Sequence, residues 1–199
     1  MKYIIMADGK GTRWDNYNNI PKHLIQFHGE TLLARTVRLL HTYDSGCEIV
    51  ITSHDSRYEV PGATRYEPKN NVLEIDRFTN ELIADDVSFL YGDTFYSEAS
   101  IKSIVEETTE DVLFFGNENS IVAVKVKNAA LFARHVERVR NLFIEGKIRG
   151  CKGWHVYQSF QGLPFDKKQI AEKYIYLKDE TEDFNSPEDY IRRRQYTDE

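Results

Sequence analysis

From the N-terminus onward, short apolar runs alternate with longer stretches whose apolar residues recur every three or four positions. The short runs are Tyr3 to Ala7, Glu48 to Thr52, Val87 to Tyr91, Val112 to Phe115, Ile121 to Val126 and Tyr174 to Leu177. Several are apolar on consecutive positions and rich in branched or aromatic residues, as strands covered on both faces must be. Thr31 to Tyr43, Ile75 to Ala84, Glu98 to Glu107 and Asn128 to Glu145 predict amphipathic helices between them. Strand then helix, repeated, predicts an α/β sheet with right-handed crossovers. From Arg149 to Lys168 the rhythm weakens into Gly, Pro and aromatic residues, which predicts a short helix and loops that could cover the sheet as a lid. Ser186-Pro187-Glu188-Asp189 predicts the start of a last helix: a cap, Pro in the first position and acids in the first turn. Arg192 to Arg194 then fall toward its C-terminal end, where cations are favoured.

Composition narrows the function. The 199 residues carry no linker-like segment, so one domain spanning 1–199 is expected. With 41% hydrophobic and 13% aromatic residues, disorder is excluded. A net charge of −6, without a long basic run, argues against duplex nucleic acid as a partner. No apolar run approaches the ~18 residues of a membrane helix, and the first run is too short for a signal peptide. Cys47 and Cys151 stand apart, with no CxxC, and read as reduced thiols of a cytoplasmic protein.

The most informative segment follows the first strand: Asp8-Gly9-Lys10-Gly11-Thr12-Arg13-Trp14, then Pro21-Lys22. A strand running into Gly-x-Gly lets backbone N–H groups approach a phosphate, and Lys10, Arg13 and Lys22 can surround the same anion. The Walker pattern is absent, and Trp14 stands where the dinucleotide fingerprint needs its third Gly. Leu90-Tyr91-Gly92-Asp93 puts a carboxylate at the end of a strand, where ligands of open α/β sheets gather. Asp183-Phe184-Asn185 places two polar side chains at i and i+2, on one side of the chain if it is extended.

These three segments, in this order, resemble the nucleotidyltransferases with a GT-A-like Rossmann fold, whose signature reads roughly GGxGTR, a variable loop, then PK. Within that family the chain resembles small cytidylyltransferases for phosphocholine, alditol phosphate or sugar phosphate, and the molybdenum-cofactor guanylyltransferase-like NTP transferases. The resemblance implies a three-layer α/β/α domain with a mixed, mainly parallel sheet. It also implies Mg²⁺-dependent transfer of a nucleotidyl group, CTP preferred, to a small phosphorylated acceptor with release of pyrophosphate. The product would be an activated precursor for a cell-surface polysaccharide, made by a monomer or homodimer with no nucleic-acid or membrane partner. It assigns nucleotide binding to Ala7, Asp8, Gly9, Lys10, Gly11, Thr12, Arg13, Lys22 and Asn71, catalytic charge to Arg13 and Lys22, and metal binding to Asp93, Asp183 and Asn185. Segment 149–168 would cover the acceptor.

The chain departs from the pattern at Asp8, where the family has Gly or Ala. A carboxylate beside a triphosphate is repulsive at close range, so the Asp8 side chain is expected to turn outward and Asp8→Gly to raise nucleotide affinity. His23, beside Lys22, is expected to be a core or surface residue rather than a phosphate ligand. Trp154 and Tyr157 could form an aromatic cage for a quaternary ammonium, though packing is the expected role. The competing readings are a guanylyltransferase, a glycosyltransferase of the same fold, and a relative that binds nucleotide without turnover.

Overall fold

In the computed structural model, which describes residues 1–15 and 17–197, eleven strands and five α-helices follow one another. They are β1 (Lys2–Met6), β2 (Gln26–Phe27), β3 (Glu30–Thr31), α1 (Leu32–Tyr43), β4 (Glu48–Thr52), β5 (Thr64–Tyr66), β6 (Val87–Tyr91), β7 (Thr94–Phe95), α2 (Glu98–Glu106), β8 (Val112–Gly116), β9 (Ile121–Val126), α3 (Ala129–Ile144), α4 (Gly153–Gln161), β10 (Tyr174–Tyr176), β11 (Glu182–Asp183) and α5 (Pro187–Thr197). Seven strands form the central sheet in the order β10-β8-β9-β6-β1-β4-β5. Only β9 runs against the rest, pairing antiparallel with both β6 and β8. The sheet is therefore mixed and mainly parallel, as the resemblance implies.

The two-residue period of the strands divides the core into two apolar layers. Tyr3, Ile5, Ile49, Ile51, Leu90 and Phe115 face α1 and α2 and pack with Leu33, Val37, Leu40 and Ile101. Ile4, Met6, Phe89, Phe114 and Val124 face the other way, onto Phe132, Val136, Val139, Trp154 and Tyr157 of α3 and α4. The result is α/β/α. Three helices start on side-chain caps: Thr31 accepts from the Ala34 amide, Ser97 from Ser100 and Asn128 from Leu131. Each such cap is worth about 1 kcal/mol.

The stretch Ile75 to Ala84 differs from expectation. It forms two short 3₁₀ turns, Glu74–Phe78 and Asn80–Leu82, separated by Thr79 in the left-handed region at φ 42°. The cause is Asp76, a buried carboxylate that accepts from the backbone amides of Val72 and Leu73 and pairs with Arg140 of α3. Those local bonds compete with a continuous α-helix.

Two registers place the cleft. Met6 stands opposite Tyr91, so the loop after β1 and the turn after β6 leave the sheet side by side. Gly92 lies so close there that a Cβ would come within 3.0 Å of the Met6 carbonyl and 3.1 Å of the Ala7 Cβ. β11 pairs with β7, Asp183 opposite Thr94, and the Phe184 amide donates to the Asp93 carbonyl at 2.8 Å. Residues 90 apart in sequence thus meet at the end of β6.

Candidate active site

A polar cavity of about 350 Å³ opens at the C-terminal ends of β1 and β6. Arg13, Lys22, Asp93, Asp183 and Asn185 all line it. The sequence pattern separates these residues into three segments, and the sheet registers bring them together.

At its floor, Lys22 and Asp93 form a buried ion pair, each side chain less than a tenth exposed. Burial by itself would raise the Asp93 carboxyl, but the Lys22 ammonium, with the Arg77 charge beside it, holds it below the usual carboxylate range. A buried pair of this kind contributes little net stability, yet leaving either charge alone costs about 3–5 kcal/mol. His23, next in the chain, is buried beside them with Nδ1 3.0 Å from the Tyr58 hydroxyl. Burial, reinforced by the Lys22 and Arg77 charges against the pull of Asp93, depresses its pKa to about 3. His23 is therefore a neutral packing residue at ordinary pH, not a phosphate ligand.

Beside this pair the two polar residues of β11 and its exit are joined to each other and to the glycine loop. Asn185 donates to Asp183 and accepts from Arg13 at 2.7 Å; Asp183 also accepts from Ser120 at 2.6 Å. An aromatic cluster fixes the backbone beneath. Trp14 is buried with its indole N–H on the Ile20 carbonyl at 2.6 Å, edge-on to Tyr17 and to Tyr190 of α5. The loop between Ala7 and Thr12 has no regular structure, and Gly11 adopts φ 58°, the left-handed region that glycine enters at least cost.

Asp8 and Asn71 occupy a neighbouring position. The Asp8 carboxylate accepts from the His54 amide at 3.0 Å, the His54 ring at 2.8 Å and the Asn71 side chain at 2.7 Å. Asn71 also donates to the Asp8 carbonyl at 2.7 Å. Asp8 therefore ties the glycine loop to the ends of β4 and of the segment before the 3₁₀ turns. Lys10, from the same loop, reaches the Val72 carbonyl at 3.4 Å.

One cation of the cleft has no motif to announce it. Arg77, from the first 3₁₀ turn, lines the cavity with its guanidinium packed on Gly9, where a Cβ would come within 3.1 Å. Glu74 lies 3.8 Å from it. The Asp76 pairing that breaks the helix also orients this turn, so Arg77 was hidden inside an apparent helix face. At the far end Lys152, Trp154 and Lys168 complete the lining. The Tyr157 ring, by contrast, is buried in the core; its hydroxyl accepts from the Ala171 amide and donates to the Glu172 carbonyl. Trp154 and Tyr157 thus form no open cage.

Among the described residues, no three His, Cys, Asp or Glu side chains gather as a metal cluster. No helix among them is long and apolar enough to cross a membrane.

The fold is shared with solved nucleotidyltransferase structures. A putative glucose-1-phosphate thymidylyltransferase from Bacillus anthracis superposes with a TM-score of 0.65 at 12% identity, over 99% of this chain and 95% of that one. The UTP-bound UGPase from Acinetobacter baumannii gives 0.66 at 11% identity, over 98% and 92%. The inositol-1-phosphate CTP transferase from T. maritima gives 0.56 at 14% identity, over 94% and 90%. This chain has the nucleotidyltransferase fold. No family model matches the sequence, and no curated protein matches it.

Proposed function

We propose that the protein is a nucleotidyltransferase that joins CTP to a small phosphorylated acceptor and releases pyrophosphate. The observation that carries the reading is the convergence of Arg13, Lys22 and Arg77 with Asp93 and Asp183 on one cavity at the ends of β1 and β6. The neighbours in fold are named for CTP, UTP and thymidylyl transfer, and one is a CTP transferase acting on a phosphorylated polyol.

The chemistry asks for little beyond placement and charge. A phosphate acceptor is already ionised, so no general base is required. Two anions must meet in line, and fixed cations must offset the charge that moves onto the departing pyrophosphate. In this assignment the loop from Ala7 to Thr12 wraps the nucleotide, and Arg13 holds its outer phosphates. Lys22 faces the α-phosphate. Arg77, packed on Gly9, stands where the acceptor phosphate approaches. Asn185 keeps Arg13 aligned, while Asn71 and Asp8 hold the loop from behind.

The donor set fits Mg²⁺. Asp93 and Asp183 offer hard oxygens from adjacent strand ends in an open polar cavity, with room for phosphate oxygens and water to complete a shell. Asn185 can add a neutral carbonyl. The ion, when bound, supplies charge neutralisation at the α-phosphorus and fixes the two phosphates relative to each other.

Pyrophosphate release, measured with each of four NTPs against a panel of phosphorylated acceptors, tests the reading. Release that depends on Mg²⁺ and is fastest with CTP is expected, and excess chelator should abolish it. Mg²⁺-NTP binding without pyrophosphate release from any acceptor would make the chain a nucleotide-binding relative instead. Transfer of a sugar from a nucleotide sugar would make it a glycosyltransferase of this fold.

A further inference from the structure

The far end of the cleft has a chemistry of its own. Lys168, from the loop after α4, sets its ammonium 5.2 Å from the centre of the Trp154 ring and donates to the Asn119 carbonyl at 2.6 Å. The indole face that could have received a cationic ligand is thus filled by the protein's own cation. Lys152 stands at the start of α4 and lines both this cavity and a neighbouring one with Lys147 and Arg149. Of the nearby carboxylates, Glu74 is engaged with Arg77, Glu145 with Lys147, and Asp183 with Ser120 and Asn185, while Asp166 lines the neighbouring cavity beside Lys147, Arg149 and Lys152.

Trp154 adds an independent sign. Its residue is 94% buried in the cavity wall, and its Nε1–H has no hydrogen-bond partner. A buried donor left unsatisfied costs about 1–3 kcal/mol, so such a group commonly marks the place of a ligand or water oxygen. Two ammonium groups, on a wall shaped by aromatic packing around an unsatisfied and enclosed indole N–H, favour a ligand group that carries negative charge.

We infer that Lys152, Lys168 and the Trp154 indole form a subsite for an anionic group at the non-reacting end of the acceptor. The preferred acceptor is then a phosphate monoester whose other end carries a carboxylate or second phosphate, and a trimethylammonium end is excluded by charge. This rests on the nucleotidyltransferase reading for the word acceptor, but the subsite can be tested without turnover.

Binding of three probes to the full chain, by calorimetry, separates the possibilities: 3-phosphoglycerate, glycerol 3-phosphate and phosphocholine. Their reacting phosphates are alike and their tails are anionic, neutral and cationic. The wild-type protein should bind 3-phosphoglycerate roughly tenfold more tightly than phosphocholine, with glycerol 3-phosphate between them. Lys152→Gln and Lys168→Gln should each reduce that ratio several-fold while changing glycerol 3-phosphate affinity little. Equal affinities for the three, or tightest binding of phosphocholine, would overturn the subsite. So would a loss in the lysine variants that is the same for all three, since the lysines would then hold the reacting phosphate. Pyrophosphate release measured with the same probes reports on the enzyme reading alone. Absence of release from these probes and from the wider acceptor panel, with the affinity order intact, leaves the subsite standing and removes the transferase.

Discussion

Asp8 and Asp93 both stand at the C-terminal end of a central strand, one register step from each other's strand, and the fold uses them in opposite ways. Asp93 is buried with a full positive charge on it, and Arg77 bears on it from above. Asp8 is held by neutral or weakly basic donors: a backbone amide, a histidine ring and an amide side chain. The first arrangement concentrates charge inside the cleft, where low polarisability makes it effective. The second spends a carboxylate on tying three chain segments together at the cleft's edge. Proximity to a ligand site therefore says less about a carboxylate's role than the identity of the groups that satisfy it.

The largest test of that contrast is Asp93→Asn. It should lower turnover by at least ~10³-fold, and it also strands the Lys22 charge, costing about 3–5 kcal/mol of stability. Steady-state pyrophosphate release and urea unfolding read the two effects separately. Near-normal turnover in a folded variant would move the metal and phosphate chemistry away from Asp93.

Next in size is Arg77→Ala, expected to reduce kcat/KM by roughly 10²-fold, the usual scale for one lost charge-stabilising donor. Arg77→Lys should recover part of it. If Arg77 merely packs on Gly9, the loss would instead appear as lowered stability with unchanged kinetics of the remaining folded protein.

Asp8→Gly is smaller and sharper. The outward-turned, tolerated carboxylate expected from the sequence predicts a gain in nucleotide affinity that shrinks with salt. The hydrogen bonds to His54 and Asn71 argue for the opposite sign. Up to three bonds disappear, glycine loosens the unfolded chain, and stability should fall by about 1–3 kcal/mol with weaker nucleotide binding. A rise in affinity measured by calorimetry would restore the first expectation.

These effects show what the sequence could and could not reveal. The strands Lys2–Met6, Glu48–Thr52, Val87–Tyr91 and Val112–Gly116 were legible because each is a covered apolar run. The glycine loop was legible from its own residues, and Asp93 and Asp183 because the three segments together resemble a known family's pattern. Arg77 and the seat of Lys168 over Trp154 were not, although segment 149–168 was expected to cover the acceptor. Arg77 depends on Asp76 pairing with Arg140, 64 residues away, and Lys168 depends on a loop folding back over Trp154. The short strands β7 and β11 were equally invisible, since two residues carry no period and their pairing spans the length of the domain.

The last prediction concerns acid. His23 stays neutral in the fold down to about pH 3, whereas in the unfolded chain it takes up a proton near the ordinary histidine value of about 6.5. Between those values the unfolded state binds more protons, so stability falls as pH falls, with a slope approaching ~1.4 kcal/mol per unit. Asp93, held below the usual carboxylate range, adds a loss of the same sign at lower pH. His23→Gln should flatten the decline between pH 6 and 4 in thermal unfolding, while leaving the Asp93 contribution in place. An unchanged slope would show that the histidine is not the group that titrates.

The pairing of β11 with β7 also has a consequence for how the protein comes into being on the ribosome. Chains grow from the N-terminus, and domains can begin folding as they emerge. The glycine loop, Lys22 and Asp93 emerge with β1 and β6. Asp183, Asn185 and the Tyr190 ring that packs edge-on to Trp14 follow Asp93 by 90 residues or more. A nascent chain thus carries Lys22 and Asp93 through that interval without the strand that pairs beside them. Assembly of the cleft waits on β11, and a product truncated before it would leave the Trp14 cluster open.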